Sequence, residues 1–508
     1  MIRFMARRFV LALGTLLVLS LLVFLMVDTA IDPLDDLRVS TSPNKADLIA
    51  RRISMLKLDQ PWYVRYWDWL SGFVQGDLGT AWRTQQLVSD QLKGAIATSF
   101  SLVLFATILA LILGVIVGIV SALRQYTGFD YAITFVSFVL YSLPVFWVAV
   151  LLKQFLAIGL NDYLAQPSLN WLAVVAVAVV AGLFWAGALG GKFRRKAVVF
   201  AVAAAVTLGT IVGIVASNWL QAPSVGFPGL IVIGAAAAIA VTLIFAGTSN
   251  RRALYSALTT AALGVALYMP LMYLFAYYEM DWSWIIVLLV VAIACGCGIG
   301  WLFGGDDRGV SMRGAAIVAV IMSILIFADR VLQVYPLYYA SNAVHGRPIA
   351  TIGAETPNLG GDFWVSQLDR FTHMLLPTIA LVLISFAEYT RYQRGAMLEA
   401  MSQEYIRTAR AKGLPERVVI VRHALRNALM PLAAIIPVDL VSVIGGAVIT
   451  ETIFGWSGMG QLFITSLTSS EIDPVMAYVM ITGAFTLVAT LLADFLYALI
   501  DPRIRVNA

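Results

Sequence analysis

The chain has 508 residues, of which 60% are hydrophobic and only 12% charged, with a mean hydropathy of +0.87. Soluble domains carry about 45–50% apolar and about 25% charged residues, so this chain has too few charges to cover a surface in water. A soluble enzyme, a disordered regulator and a nucleic-acid-binding protein are excluded, despite the net charge of +5, and the bilayer is the solvent for most of the protein.

The first apolar run, Phe9 to Val27, follows Arg3, Arg7 and Arg8. It is longer than the roughly 7–15 residues of a signal-peptide core, and Asp28-Thr-Ala-Ile-Asp32 is a poor cleavage site. The expectation is an uncleaved first transmembrane helix with its N-terminus in the cytoplasm. Asp28–Ala97 is a mixed-charge external segment with turn signals at Asp32-Pro33 and Ser42-Pro43-Asn44. Its aromatics, Trp62, Tyr63, Tyr66, Trp67, Trp69, Phe73 and Trp82, suit either a helix lying at the membrane interface or a docking surface for a partner.

A crossing helix needs about 20 predominantly apolar residues. The following runs that qualify are Ser99–Val120, Tyr131–Leu160, Trp171–Leu189, Ala197–Ala216, Gly229–Gly247 and Leu254–Ala276, then Ser283–Phe303, Ala315–Val334, His373–Gln393, Leu432–Thr450 and Val475–Leu499, twelve in all with the first. Threaded from an inside N-terminus, they put Arg124, Lys192-Phe-Arg-Arg-Lys196, Arg251, Arg252, Arg308, Arg313, the stretch Arg391–Arg426 and Arg503/Arg505 on the cytoplasmic side. The connections Ser217–Pro228 and Tyr277–Trp282 fall outside and carry no Lys or Arg. This is the arrangement that basic residues in short loops impose, so both ends are expected in the cytoplasm. Cys295 and Cys297, two residues apart in an apolar run, read as packing residues. Tyr335–Phe371 reads as a second external loop.

The stretch Glu388–Pro431 is the most distinctive in the chain. Ser402 is placed to cap a helix with Glu404 in its first turn, and Arg410 and Lys412 fall in the last turn. Gly413 supplies a left-handed stop and Pro415 forbids continuation. A helix of about ten residues follows, with Tyr405, Ile406 and Ala409 on one apolar face. A second helix begins after Pro415 and feeds the next span at Pro431. A short helix held between longer ones is suited to being gripped by a partner.

Arg407-Thr-Ala-Arg-Ala-Lys-Gly413-Leu, followed by Arg422-His-Ala-Leu-Arg-Asn-Ala-Leu-Met-Pro431, resembles the cytoplasmic loop of ATP-binding cassette (ABC) importer permeases. More narrowly, it resembles the first-type permease of the dipeptide, oligopeptide and nickel branch. Against the general EAA motif of such importers, Ala409, Gly413 and Leu425 match, whereas Arg407, Thr408, His423 and Arg426 depart in the manner of the peptide branch. Leu58–Trp67 with Gly76-Asp-Leu-Gly79, Tyr141-Ser-Leu-Pro144-Val-Phe-Trp147, Gly446–Gly460 and Asp501-Pro-Arg503 resemble further family blocks, in family order.

The resemblance implies an all-α polytopic membrane protein with the transmembrane domain of a type I ABC importer. It divides the chain into a permease-core N-terminal half (1–160), an inserted block of about six helices plus an external loop (161–371), and a C-terminal half (372–508). The implied function is a permease subunit in the cytoplasmic (inner) membrane of a prokaryote, carrying peptides or a related small solute. Implied partners are a second permease, two ATPases and an external substrate-binding protein. The implied coupling residues are Glu404, Tyr405, Arg407, Thr408, Ala409, Lys412, Gly413, Leu414 and Pro415. Asp439, Tyr141, Pro144 and Trp147 are candidates for the translocation path, with an interhelical hydrogen bond as the competing role for Asp439. Glu451, Trp456, Gly458 and Asp473 are candidates for external docking. Lys153 is placed to snorkel to the interface, Glu388 to pair with Arg391, and Asp494 to serve packing. No cofactor is expected in this chain. Its nearest string to a phosphate-binding loop, Gly187–Phe193, lacks the required spacing, and His345, His373 and His423 are too scattered to share a metal. ATP and magnesium would be bound by the partner ATPases. The helix number alone would also fit a twelve-helix secondary transporter, but such proteins usually show internal repeats, and none is apparent.

Overall fold

A computed structural model describes residues 2–39, 41, 43–165, 170–247, 250–305, 308–432, 435–437, 439, 441 and 447–500. Gly446 and Asp501-Pro-Arg503 lie outside the described residues, as does the side chain of Asp494. Among the described residues, twelve helical stretches are long and apolar enough to cross a membrane, the number expected from the hydropathy runs. Helices dominate because a chain in lipid must satisfy its backbone polar groups within each segment. Among the described residues the strands form a small antiparallel ribbon, β1 (Thr80–Ala81) and β2 (Gln86–Leu87).

The external segment folds as α2 (Asp35–Val39), α3 (Lys45–Leu56) and α4 (Trp62–Gln75). Its aromatics divide in two. Tyr66 is buried against Phe24 of α1 (Ile2–Ala30) and its hydroxyl bonds Ser20 at 2.9 Å, while Trp62, Tyr63 and Trp67 stay exposed. Arg65 pairs with Asp28 at 2.7 Å and fixes α4 against the end of α1.

The longest seam joins α5 (Val88–Leu123) to α16 (Phe363–Ser402). Two glycines one turn apart permit it. A Cβ on Gly114 would lie 2.6 Å from the Cβ of Tyr389, and one on Gly118 would lie 2.8 Å from that of Gln393 and 2.9 Å from the Thr390 carbonyl. The spacing Gly114-x-x-x-Gly118 is a small-residue signal for close helix approach in membranes. Gly118→Val should push the two backbones apart and cost about 2 kcal/mol by overpacking, read as a lowered melting temperature in detergent.

The third hydropathy run, Tyr131–Leu160, is not one helix. It is α6 (Gly128–Ser142), a break at Leu143-Pro144, α7 (Val145–Leu151), a π-helical stretch over Leu152–Ile158 and α8 (Gly159–Ala165). Pro144 caps α7 in an extended conformation and has no amide proton to continue α6.

Between α8 and α16 lie α9 (Trp171–Leu189), α10 (Phe193–Ala216), α11 (Gly226–Phe245), α12 (Arg251–Tyr277), α13 (Trp282–Phe303) and α14 (Arg308–Gln333), then α15 (Tyr335–Tyr339). They form two units. α9 and α10 are a hairpin resting on α6, whereas α11 to α14 share one core, in which Leu230, Ala257, Val318 and Met322 are buried. The second unit is sealed at one end by Asp329, wholly buried, which accepts from the amides of Val225 and Gly226, from Tyr268 at 2.6 Å and from Gln333 at 2.8 Å. It reaches the core where Tyr338 donates to Asp369 of α16 at 3.0 Å. Cys295 is exposed rather than packed inside.

Candidate functional site

α17 (Glu404–Ala411) follows α16 with one intervening residue, Gln403, which takes the cap position without a side-chain bond. Ser402 does not cap, contrary to expectation. It is the last residue of α16, and its hydroxyl donates to the Glu399 carbonyl at 2.8 Å. The apolar face also narrows. Ile406 (0% exposed) and Ala409 are buried against Met397, Val419 and Ala424, but Tyr405 is exposed. The end forms as the sequence predicts: Gly413 has φ +72°, and its amide donates to the Arg410 carbonyl at 2.9 Å.

Beyond it, α18 (Glu416–Val418) continues through a π-helical turn, Val419–Ala424, into α19 (Leu425–Ala428). Arg410 holds Glu416 at 2.6 Å across the Gly413-Leu414-Pro415 tip, and its guanidinium keeps the Glu416 carboxyl below its ordinary range. Arg407 pairs with Glu404 at 2.8 Å. Two anchors thus fix α17 from beneath, while Glu404, Tyr405, Arg407, Thr408, Lys412, Gly413, Leu414 and Pro415 all face outward.

A brace that the sequence reading missed stands one step behind this loop. Asp130, in the first turn of α6, accepts from Arg394 of α16 through two bonds, at 2.7 and 2.9 Å, and from Ser121 at 2.6 Å and the Tyr126 amide at 3.1 Å. The aspartate is buried at the meeting of α5, α6 and α16. Thr127-x-x-Asp130 is a helix-start signal visible in the sequence. Nothing local marks Arg394, 264 residues away.

Along the middle of the core, Asp439 is hydrogen-bonded by Tyr389. Tyr141, Pro144 and Trp147 are exposed around the break between α6 and α7. Arg391 does not pair with Glu388 as expected; it lies 4.0 Å over the Tyr141 ring. The Lys153 amine donates to the Ile453 carbonyl at 3.1 Å.

The turn that carries Glu451, Trp456 and Gly458 is fastened to the rest of the core. Glu451, in α20 (Val448–Phe454), is 0% exposed. It accepts from Ser99, from the Gly460 amide at 2.8 Å and from the Gln461 amide at 3.1 Å, at the start of α21 (Met459–Thr468). Burial pushes its carboxyl up, against the pull of these donors. Gly458 is required because a Cβ there would lie 2.4 Å from the Glu451 carboxylate, and Trp456 is buried beside it. Asp473, at the start of α22 (Ile472–Ile500), lies against the backbone of Gly79 and accepts from Thr80. These four residues lock this turn to the rest of the core because each has an internal partner or is packed inside. Glu451→Ala should cost about 3 kcal/mol by stranding buried donors, measured as a fall in thermal stability of the purified protein.

The arrangement defines a class: a polytopic helical membrane protein that presents one short, anchored helix at one end of its core. The family model described as binding-protein-dependent transport system inner membrane component matches residues 257–506, and that of the N-terminal part of such membrane components matches residues 1–102. The chain belongs to this family of inner membrane transport components. The first match begins within α12, inside the block 161–371 that the resemblance implies is inserted.

The oligopeptide transport system permease protein OppB of Mycobacterium bovis is 41% identical over 155 residues, covering 30% of this chain and 48% of that protein. AppB, the oligopeptide transport system permease protein of Bacillus subtilis, is 43% identical over 155 residues, with the same coverage of 30% and 48%. The dipeptide transport system permease protein DppB of Escherichia coli is 41% identical over 138 residues, covering 27% of this chain and 41% of that protein. The chain thus spans somewhat under half the length of these relatives.

Proposed function

We propose that this chain is a permease subunit of an ATP-driven importer that carries peptides or a related small solute across the inner membrane of a prokaryote. It would act with a second permease, two ATP-binding cassette ATPases and an external substrate-binding protein. The observation that carries the reading is α17, which buries only Ile406 and Ala409 and turns its charged residues outward. A helix of this kind serves as a lever: a partner moving it would drag α16 and α19, to which it is joined. Hydrolysis would belong to the ATPases, which bind ATP and magnesium, and this chain would convert their closure into rocking of its bundle.

In this reading the core is of the type I importer kind, with six core helices, six inserted helices and both termini cytoplasmic. The division at 1–160, 161–371 and 372–508 is supported by the direct packing of α5 on α16 and by the core that α11 to α14 share beside that of α5, α7 and α16. Asp439 and the exposed Tyr141, Pro144 and Trp147 are proposed to border the path. The tagged chain, expressed with its neighbouring genes, should co-purify with two ATP-binding cassette ATPases. Purification of the chain without any ATPase would overturn the reading.

A further inference from the structure

Between Asp162 and Glu279 the sequence contains no acidic residue, yet it carries Lys192, Arg194, Arg195, Lys196, Arg251 and Arg252. Four of these six fall in the five residues 192–196, the cap and first turn of α10. All four are exposed, and among the described residues none is held in an ion pair. The turn before them is tight, with Gly190 at φ +59° and Gly191 at φ +109°, and Gly191 has no side chain in the space where the Arg195 stem folds back over it.

This patch is fixed to the core. Arg124 donates to the Ala188 carbonyl at 2.9 Å, and Gly128 lies against Gly187 so closely that a Cβ would be 2.8 Å from its carbonyl oxygen. Those contacts put the basic turn at the end of the molecule that also holds the Asp130–Arg394 brace. Phe193, in the middle of the charges, is 88% exposed. The rest of α10 continues from it as an apolar helix in which no residue is buried.

We infer that Lys192, Arg194, Arg195 and Lys196 form a binding site for anionic phospholipid headgroups of the inner leaflet. The inference goes beyond the transport function and rests only on the orientation assigned above. A basic cluster next to a crossing helix attracts anionic lipid, each Lys or Arg contributing about fivefold in affinity. An acidic protein segment would be met by the charges alone. A phospholipid is met by the whole surface, with the phosphate on the basic turn and the acyl chains along Phe193 and the open flank of α10.

The test uses the full chain purified in mild detergent, titrated with phosphatidylglycerol and, in parallel, with phosphatidylcholine, the bound lipid being counted by native mass spectrometry. Arg194→Gln combined with Lys196→Gln leaves Lys192 and Arg195 to keep the hairpin oriented. This variant should bind phosphatidylglycerol about thirtyfold more weakly with phosphatidylcholine unaffected. Arg194→Lys combined with Lys196→Arg, which keeps the charge, should bind as the parent does. Equal phosphatidylglycerol binding by parent and Gln variant would overturn the assignment. So would a parallel loss of phosphatidylcholine, or displacement of the lipid by millimolar inorganic phosphate, which would mark a free-phosphate site.

Discussion

Gly413→Asp is expected to strip the ATPases from the purified chain while leaving membrane insertion intact. Nothing lies within 4 Å of a Cβ built at Gly413, so the substitution meets no clash. Its cost is conformational and electrostatic. The residue sits at φ +72°, where an L side chain costs about 1 kcal/mol, a penalty that unwinding the last turn of α17 would relieve. The new carboxylate also stands at the exposed tip between Lys412 and Pro415, on the surface offered to a partner. The yield of co-purified ATPase should fall at least tenfold, with the amount of chain in the membrane unchanged. An unchanged ATPase yield would remove Gly413-Leu414-Pro415 from the docking surface.

Asp130→Ala is expected to cost as much stability as Glu451→Ala and to reach the coupling loop as well. It leaves Arg394 without its two charge-assisted bonds and the Ser121 hydroxyl and Tyr126 amide without an acceptor. Removing one partner of a buried ion pair costs about 3–5 kcal/mol. The Arg394 side chain is 28% exposed, so water relieves part of the isolated charge, and a loss of about 3 kcal/mol is expected. Thermal unfolding in detergent measures it. Replacing both partners, by Asp130→Ala with Arg394→Leu, should recover part of the loss, because no lone charge then remains. A double variant as unstable as the two single losses added together would show that the pair does not act as a unit. The brace lies between α6 and the last turns of α16, directly behind α17, so the single variant should also weaken ATPase retention.

Much of this architecture was legible because membrane solvent imposes simple rules. Runs of about 20 apolar residues marked the spans, and basic residues marked one side. Gly413 and Pro415 announced the end of α17, and the structure keeps that end. What was not legible depends on partners distant in sequence. Glu451 looks like an external charge until Ser99 and the amides of Gly460 and Gln461 close around it. Lys153 has the position of a snorkelling residue, but its amine donates a hydrogen bond to the Ile453 carbonyl, 300 residues on. Ser402 has the composition of a cap and lost that place because α16 runs on through it. The break in the third span was foreseeable from Pro144, since proline ends a helix locally; hydropathy averaged over the run concealed it.

The measurement that bears most directly on the permease reading is uptake of a labelled peptide into membrane vesicles that contain this chain with its neighbouring permease, ATPases and binding protein. The reading predicts uptake only when ATP, the ATPases and the binding protein are all present, and its loss when ATP is withdrawn. Uptake that persists without ATP, driven by an ion gradient through this chain alone, would contradict it and identify a secondary transporter.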